Sequence, residues 1–129
     1  MSVFGSYAQY YDLLYQDKDY DSEANFIHKL IQDYAINTKS ILELGCGTGI
    51  HAEKLAAKGY LVHGIDMSDE MLNCAKERQQ YIPDDVNNRL SFSCADIRNF
   101  KIDLNFDVVI SLFHGISYQT ENNDLKSVF

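Results

Sequence analysis

Ile41-Leu42-Glu43-Leu44-Gly45-Cys46-Gly47-Thr48-Gly49 is the stretch on which the reading of this chain turns. A short apolar run, 40–44, is closed by three alternating glycines, and a helical pattern over 50–58 follows at once and stops at Gly59. Strand, tight turn and helix in that order open a doubly wound α/β sheet. In such a sheet the backbone turns sharply here and comes close to a ligand, because a Cβ at Gly45 or Gly47 would occupy ligand space. The first N–H groups of the helix and its positive dipole end suit a carboxylate or a phosphate. A plain strand-to-helix turn accounts for any one of these glycines, but poorly for three in five residues.

The same alternation continues on both sides. Residues 61–65 read as a second strand, Ser68 as an N-cap, and 70–80 as a helix with Met71, Leu72 and Ala75 on one side. A polar loop, 83–88, leads to a third strand over 90–94, and FDVVISL at 106–112 is apolar enough to be a strand buried on both faces. Upstream, Phe26, Ile27, Leu30, Ile31 and Tyr34 recur at helical spacing, predicting a helix over 20–36 capped by Asp19 or Asp21. Downstream, Asn122 or Asn123 is placed to cap a further helix with Leu125, Val128 and Phe129 on its inner face. The fold expected is therefore α/β, a Rossmann-like parallel sheet with flanking helices. At 129 residues, 46% hydrophobic and 23% charged, there is one core's worth of chain, so a single domain over 1–129.

Composition excludes several classes of function. Eleven Lys plus Arg against nineteen Asp plus Glu leave a formal charge of −8, the wrong sign for binding phosphate backbones, so no nucleic-acid partner is expected. No basic segment backed by an apolar stretch opens the chain, and nowhere do eighteen apolar residues run together, so neither a signal peptide nor a membrane span is expected. Cys46, Cys74 and Cys94 have neither C-x-x-C spacing nor an even count; they read as packing residues of a protein kept in a reducing cytoplasm. His28, His51 and His63 lack metal-ligand spacing and are assigned no role, and no metal is expected.

Carboxylates follow the strands. Asp66 ends the second strand, where an acidic side chain can accept from two adjacent ribose hydroxyls, and Asp96 ends the third in the same way. Taken singly, each is equally a turn or helix-leading aspartate. Ligands of open α/β sheets sit outside the carboxyl ends of the strands, so Gly45, Asp66, Asp96 and Leu112 would border one crevice. A dinucleotide is the rival ligand, but its G-x-G-x-x-G fingerprint meets Ile50 at the sixth position; a NAD-binding dehydrogenase fragment is kept as the alternative.

ILELGCGTG, then GIDMS around Asp66, then ADI and FDVVISLF, resemble the successive motifs of class I S-adenosylmethionine-dependent methyltransferases. The N-terminal YAQYYDLLYQDKDY is similar to the lid of the small-molecule branch of that family, which includes sugar N-methyltransferases. The resemblance implies S-adenosylmethionine as cofactor, S-adenosylhomocysteine as product and a small polar metabolite as methyl acceptor at N or O. It implies that Gly45, Gly47 and Gly49 let the backbone approach the methionine moiety and that Glu43 orients it. Asp66 would hold the ribose, with Met67 against the adenine; Asp96 and Ile97 would complete the adenine pocket, and Leu112 would lie beside the cofactor. Tyr11 and Tyr20 would close over it, with Tyr7 and Tyr15 weaker candidates; ordinary aromatic packing is the alternative for all four.

Methyl transfer needs no protein nucleophile, although His114 and Tyr118 are placed to offer a general base; catalytic residues are otherwise unassigned. The family's sheet has the strand order 3-2-1-4-5-7-6, and this chain supplies the first four, giving 3-2-1-4 with strands 5 to 7 missing. Residues 1–36 would then be lid and first helix, and 37–129 the cofactor-binding half, with a module inactive on its own as the alternative function. A fourth strand left at the edge would drive self-association through 108–112.

Overall fold

The computed structural model describes residues 19–96, 105–111, 115–119 and 125–127. The first helix, α1 (Tyr20–Tyr34), starts where Asp19 accepts the Ser22 N–H at 2.9 Å, so Asp19 is the cap and Asp21 is not. It buries Ala24, Ile27 and Ile31 against the sheet and leaves Phe26 and Tyr34 exposed. The apolar stripe is thus narrower than the sequence spacing suggests, and the helix ends two residues before Ile36.

Next come β1 (Ser40–Leu44), α2 (Ile50–Ala57), β2 (Leu61–Asp66), α3 (Asp69–Gln79), α4 (Asp84–Asn87), β3 (Leu90–Cys94) and β4 (Val108–Ser111). The four strands pair in parallel in the order β3-β2-β1-β4, as expected from the sequence. Ser68 caps α3 through the Met71 N–H at 3.1 Å. Ile41, Leu42 and Glu43 are all buried, as befits a central strand covered on both faces. One face of the sheet carries Ile41, Val62, Val108 and Ile110 against α1 and α2; the other carries Leu42, Ile65 and Val109. Among the described residues no helix is long and apolar enough to cross a membrane.

Three expectations are corrected. The segment 83–88 is not all loop, because Pro83 leads directly into α4, whose first turn carries Asp84 and Asp85. The fourth strand is not the edge: β5 (Gly115–Gln119) pairs antiparallel with β4, and β6 (Leu125–Ser127) pairs antiparallel with β5. The sheet thus has six strands, and the ground for self-association through 108–112 is gone, since the β4 backbone groups on that side are already paired. Of the helix expected after Asn122 or Asn123, Leu125–Ser127 is a strand instead, and Val128 and Phe129 lie outside the described residues. Gly115 to Gln119 reads Gly-Ile-Ser-Tyr-Gln, a period-two alternation of apolar and polar residues that favours a strand, and asparagine serves turns as readily as helix caps. Asn122 and Asn123 lie outside the described residues.

The amino ends of the two central strands are tied together. Asp107 accepts the Lys39 N–H at 2.8 Å and the Ser40 N–H at 3.1 Å, across 68 and 67 residues of chain. Both carboxylate contacts sit at the end of the sheet opposite the glycine loop.

Candidate functional site

At the carboxyl ends of the strands the backbone of the glycine loop folds over β2. Gly45 N–H and Cys46 N–H both donate to the Ile65 carbonyl, at 2.8 and 2.9 Å. Asp66, the last residue of β2, accepts the Gly47 N–H through one carboxylate oxygen and the Ser68 N–H through the other, each at 2.9 Å. A carboxylate has about four lone-pair sites, so among the described residues about two are left without a donor. The exit of β3 lies alongside, with the Ala95 N–H donating to the Asp66 carbonyl at 3.0 Å, which brings Asp96 next to Asp66.

The three glycines of the loop do different things. All have positive φ, at 71° for Gly45, 57° for Gly47 and 83° for Gly49. A Cβ on Gly47 would meet none of the described residues within 4 Å, which leaves the space in front of it open among them. A Cβ on Gly49 would stand 2.6 Å from Phe92 Cζ and 3.2 Å from Ala75 Cβ, so this glycine answers to packing within the protein. Gly64, left unremarked in the sequence, is of the second kind: its Cβ would fall 2.7 Å from Cys46 Cβ and 2.9 Å from Phe92 Cδ1. A lone glycine inside a strand pattern was the available signal for such a close approach.

Glu43 is the most unusual side chain of the site. It sits on β1 between Gly64 of β2 and Ile110 of β4, fully buried, and neither carboxylate oxygen has a hydrogen-bond partner among the described residues. Burial, with the nearby Asp66 charge adding to it, pushes its pKa from 4.5 up to about 8. A buried carboxyl group left unpaired is costly, and it persists where a ligand supplies the partner. The Cys46 thiol is pushed well up by burial and by the Glu43 and Asp66 charges, which leaves it an inert packing group.

Glu43, Gly45, Gly47, Gly49, Asp66, Met67 and Asp96 therefore converge on one end of the sheet. Met67 is 55% exposed beside Asp66, and Asp96 is half-buried. Tyr20 is buried at the start of α1, with its ring edge-on to His51 at a centroid distance of 4.9 Å. Tyr7, Tyr11, Tyr15, Ile97, Leu112 and His114 lie outside the described residues. Tyr118 is opposite Val108 in the β4–β5 register, while Gly115 is opposite Ser111. That register places Tyr118 alongside the amino end of β4, three residues or about 10 Å along the strand from Ser111.

A family model described as a methyltransferase domain matches residues 41–129. The dTDP-3-amino-3,4,6-trideoxy-alpha-D-glucopyranose N,N-dimethyltransferase of Streptomyces venezuelae is 31% identical over 121 residues, covering 92% of this chain and 48% of that protein. The dTDP-3-amino-3,6-dideoxy-alpha-D-glucopyranose N,N-dimethyltransferase of Streptomyces fradiae is 33% identical over 125 residues, 95% of this chain and 46% of that protein. Among solved structures, Streptomyces venezuelae DesVI superposes with a TM-score of 0.68 at 33% identity, over 83% of this chain and 43% of that one. An amino pentose methyltransferase from Micromonospora echinaspora, solved with S-adenosylmethionine bound, gives a TM-score of 0.67 at 28% identity, over 81% of this chain and 42% of that one. The chain spans about half the length of the curated relatives it matches.

Proposed function

Because the chain belongs to the class I S-adenosylmethionine-dependent methyltransferases, we propose that it binds S-adenosylmethionine over the carboxyl ends of β1, β2 and β3 and serves methyl transfer to a nitrogen or oxygen of a small polar metabolite. The observation that carries this reading is Glu43. A buried carboxyl group with no hydrogen-bond partner among the described residues, beneath a loop that opens at Gly47, is a socket for a cationic ligand. When bound, the cofactor supplies a methyl group activated by a sulfonium leaving group, open to in-line displacement by an acceptor lone pair.

The residues of the chain bind, orient and exclude water. Glu43 pairs with the cationic methionine end of the ligand, and the open face of Gly47 lets the backbone reach it. Asp66 accepts from the ribose hydroxyls with its remaining lone-pair sites, Met67 covers one face of the adenine, and Asp96 with Ile97 reads its edge. Tyr11, Tyr20 and Leu112 complete the enclosure, which matters because alignment and desolvation of the acceptor supply most of the acceleration. No residue of the chain is required as a nucleophile. Residues 37–129 form the cofactor-binding part, and the names of the relatives favour an amino sugar nucleotide as acceptor.

Calorimetry tests the binding reading. S-adenosylhomocysteine is expected to bind and NADH is not; NADH binding without S-adenosylhomocysteine binding at millimolar ligand would replace this reading with a dehydrogenase fragment. Labelled-methyl transfer to amine, hydroxyl and carboxyl acceptors then tests turnover. A second reading, cofactor binding without chemistry by this chain alone, is favoured by the half-length match to the relatives and is eliminated by any turnover.

Asp66→Ala is expected to weaken S-adenosylhomocysteine binding about tenfold or more, since hydrogen bonds to a charged group are worth roughly 1.5 to 3 kcal/mol. Denaturant melts should show lower stability as well, because the Gly47 and Ser68 N–H groups lose their acceptor. Unchanged affinity in the variant would take Asp66 out of the site.

A further inference from the structure

Among the described residues, polar side-chain contacts join α1 to α2 and its C-terminal turn: Asp21 with Lys54, Glu23 with His51, Asn25 with Lys58, and His28 with Tyr60. They differ in weight. The Asp21 carboxylate is 80% exposed, and exposed pairs of that kind contribute little. His51 is buried, its side chain 7% exposed, and its Nε2 lies 2.8 Å from Glu23 Oε1. An ionised carboxylate only accepts, so Nε2 is the nitrogen that carries the proton and donates. The same ring meets the edge of Tyr20, the first residue of α1.

The position of His51 gives this contact a meaning beyond helix packing. It is the second residue of α2, which begins directly after the glycine loop, and the Glu53 N–H closes the first turn on the Gly49 carbonyl at 2.9 Å. Tyr20 and Glu23 belong to the first turn of α1, where the tyrosine-rich segment joins the fold. His51 therefore links the two: its ring reaches the root of that segment, and its own backbone belongs to the first turn that leaves the glycine loop.

We propose that His51 is a positioning residue that holds the glycine loop and the root of the N-terminal segment in one fixed arrangement, by donating to Glu23 and backing the ring of Tyr20. It rests on the cofactor-binding reading for its effect on affinity, but not for its effect on the protein itself. In this role His51 acts through Tyr20 and through the first turn of α2.

The test uses the whole chain and two readouts. Amide hydrogen exchange, which needs no ligand, is expected in His51→Ala to speed up about tenfold at residues 20–23 and at 45–50 together, leaving β3 and α3 unchanged. Faster exchange in α1 alone, or uniformly over the molecule, would overturn the proposal. Calorimetry with S-adenosylhomocysteine is expected to show weakening of about tenfold for His51→Ala and for Tyr20→Ala, and about tenfold rather than hundredfold for the double variant. Independent, multiplicative losses would overturn it, as would wild-type affinity in His51→Ala. Failure of the wild-type chain to bind the ligand would sink the cofactor reading and leave the exchange result to decide about His51. Should His51→Ala fail to fold, His51→Gln keeps a donor to Glu23 and loses the ring against Tyr20. It is expected to melt near the wild type and bind about threefold to fivefold more weakly; equal affinity would count against the proposal.

Discussion

Gly47→Val is expected to abolish S-adenosylhomocysteine binding in a chain that still folds. At φ 57° a β-branched residue is strained, at a cost of roughly 1–2 kcal/mol, which lowers the melting temperature by about 3–10 °C for a domain of this size. The described residues offer the new side chain no obstruction, because none of them lies within 4 Å of where its Cβ would stand. What the valine fills is the open ground before the loop, and there the loss should reach about a hundredfold or more in affinity, nearly 3 kcal/mol. Thermal melts and calorimetry on the same sample separate the two effects. Normal binding by a folded Gly47→Val chain would show that the loop is a turn and nothing else.

Glu43 is expected to make the free protein less stable as the pH rises. Its pKa stands at about 8 in the fold against 4.5 for the unperturbed group, so between those values the folded chain keeps a proton that the unfolded chain has released. The contribution is fully present below about pH 4.5 and is lost as the pH rises through about 8, up to a ceiling of roughly 5 kcal/mol. Glu43→Gln, which keeps the shape and has no proton to lose, should flatten the curve of melting temperature between pH 5 and about 9. Parallel curves for the two proteins would refute the assignment. The same proton has to leave before Glu43 can pair with a cation, so affinity for S-adenosylhomocysteine should rise from about pH 6 to about 8 in the wild type and not in the variant.

The sequence carried the parallel part of this fold well, because its signals were local. Asp19 and Ser68 are caps whose side-chain chemistry works within one turn of helix, and the glycine run needs only its neighbours to be understood. Asp66 was legible for the same reason: it ends a strand at a place defined by the pattern around it. What escaped was set by contacts distant in sequence. Gly64 is required by Cys46 and Phe92, which both close on the place its Cβ would take. The role of His51 depends on Glu23 and Tyr20 in another helix, and so a histidine on a helical pattern gave no reason to single it out. Glu43 was placed at the site, but its state was not readable, since only the structure shows both oxygens buried with no hydrogen-bond partner among the described residues. The antiparallel pair β5 and β6 was missed through weighing asparagines as helix caps when the alternation from Gly115 to Gln119 pointed the other way.

The central place of β1 has a consequence for how the chain reaches this structure. Its pairing with β2 closes a short stretch of chain, Ser40 against Leu61, whereas its pairing with β4 and the Asp107 tie wait on residues up to 68 positions away. Non-local contacts of that span form late, because the loop must be closed before the pairing rewards it. Until β4 arrives, Ile41 and Leu42 stand on a strand paired with β2 on one side only, the backbone groups of its other edge open to any neighbouring chain. The strand best hidden in the finished molecule is thus the one most at risk of aggregating while the molecule is being made.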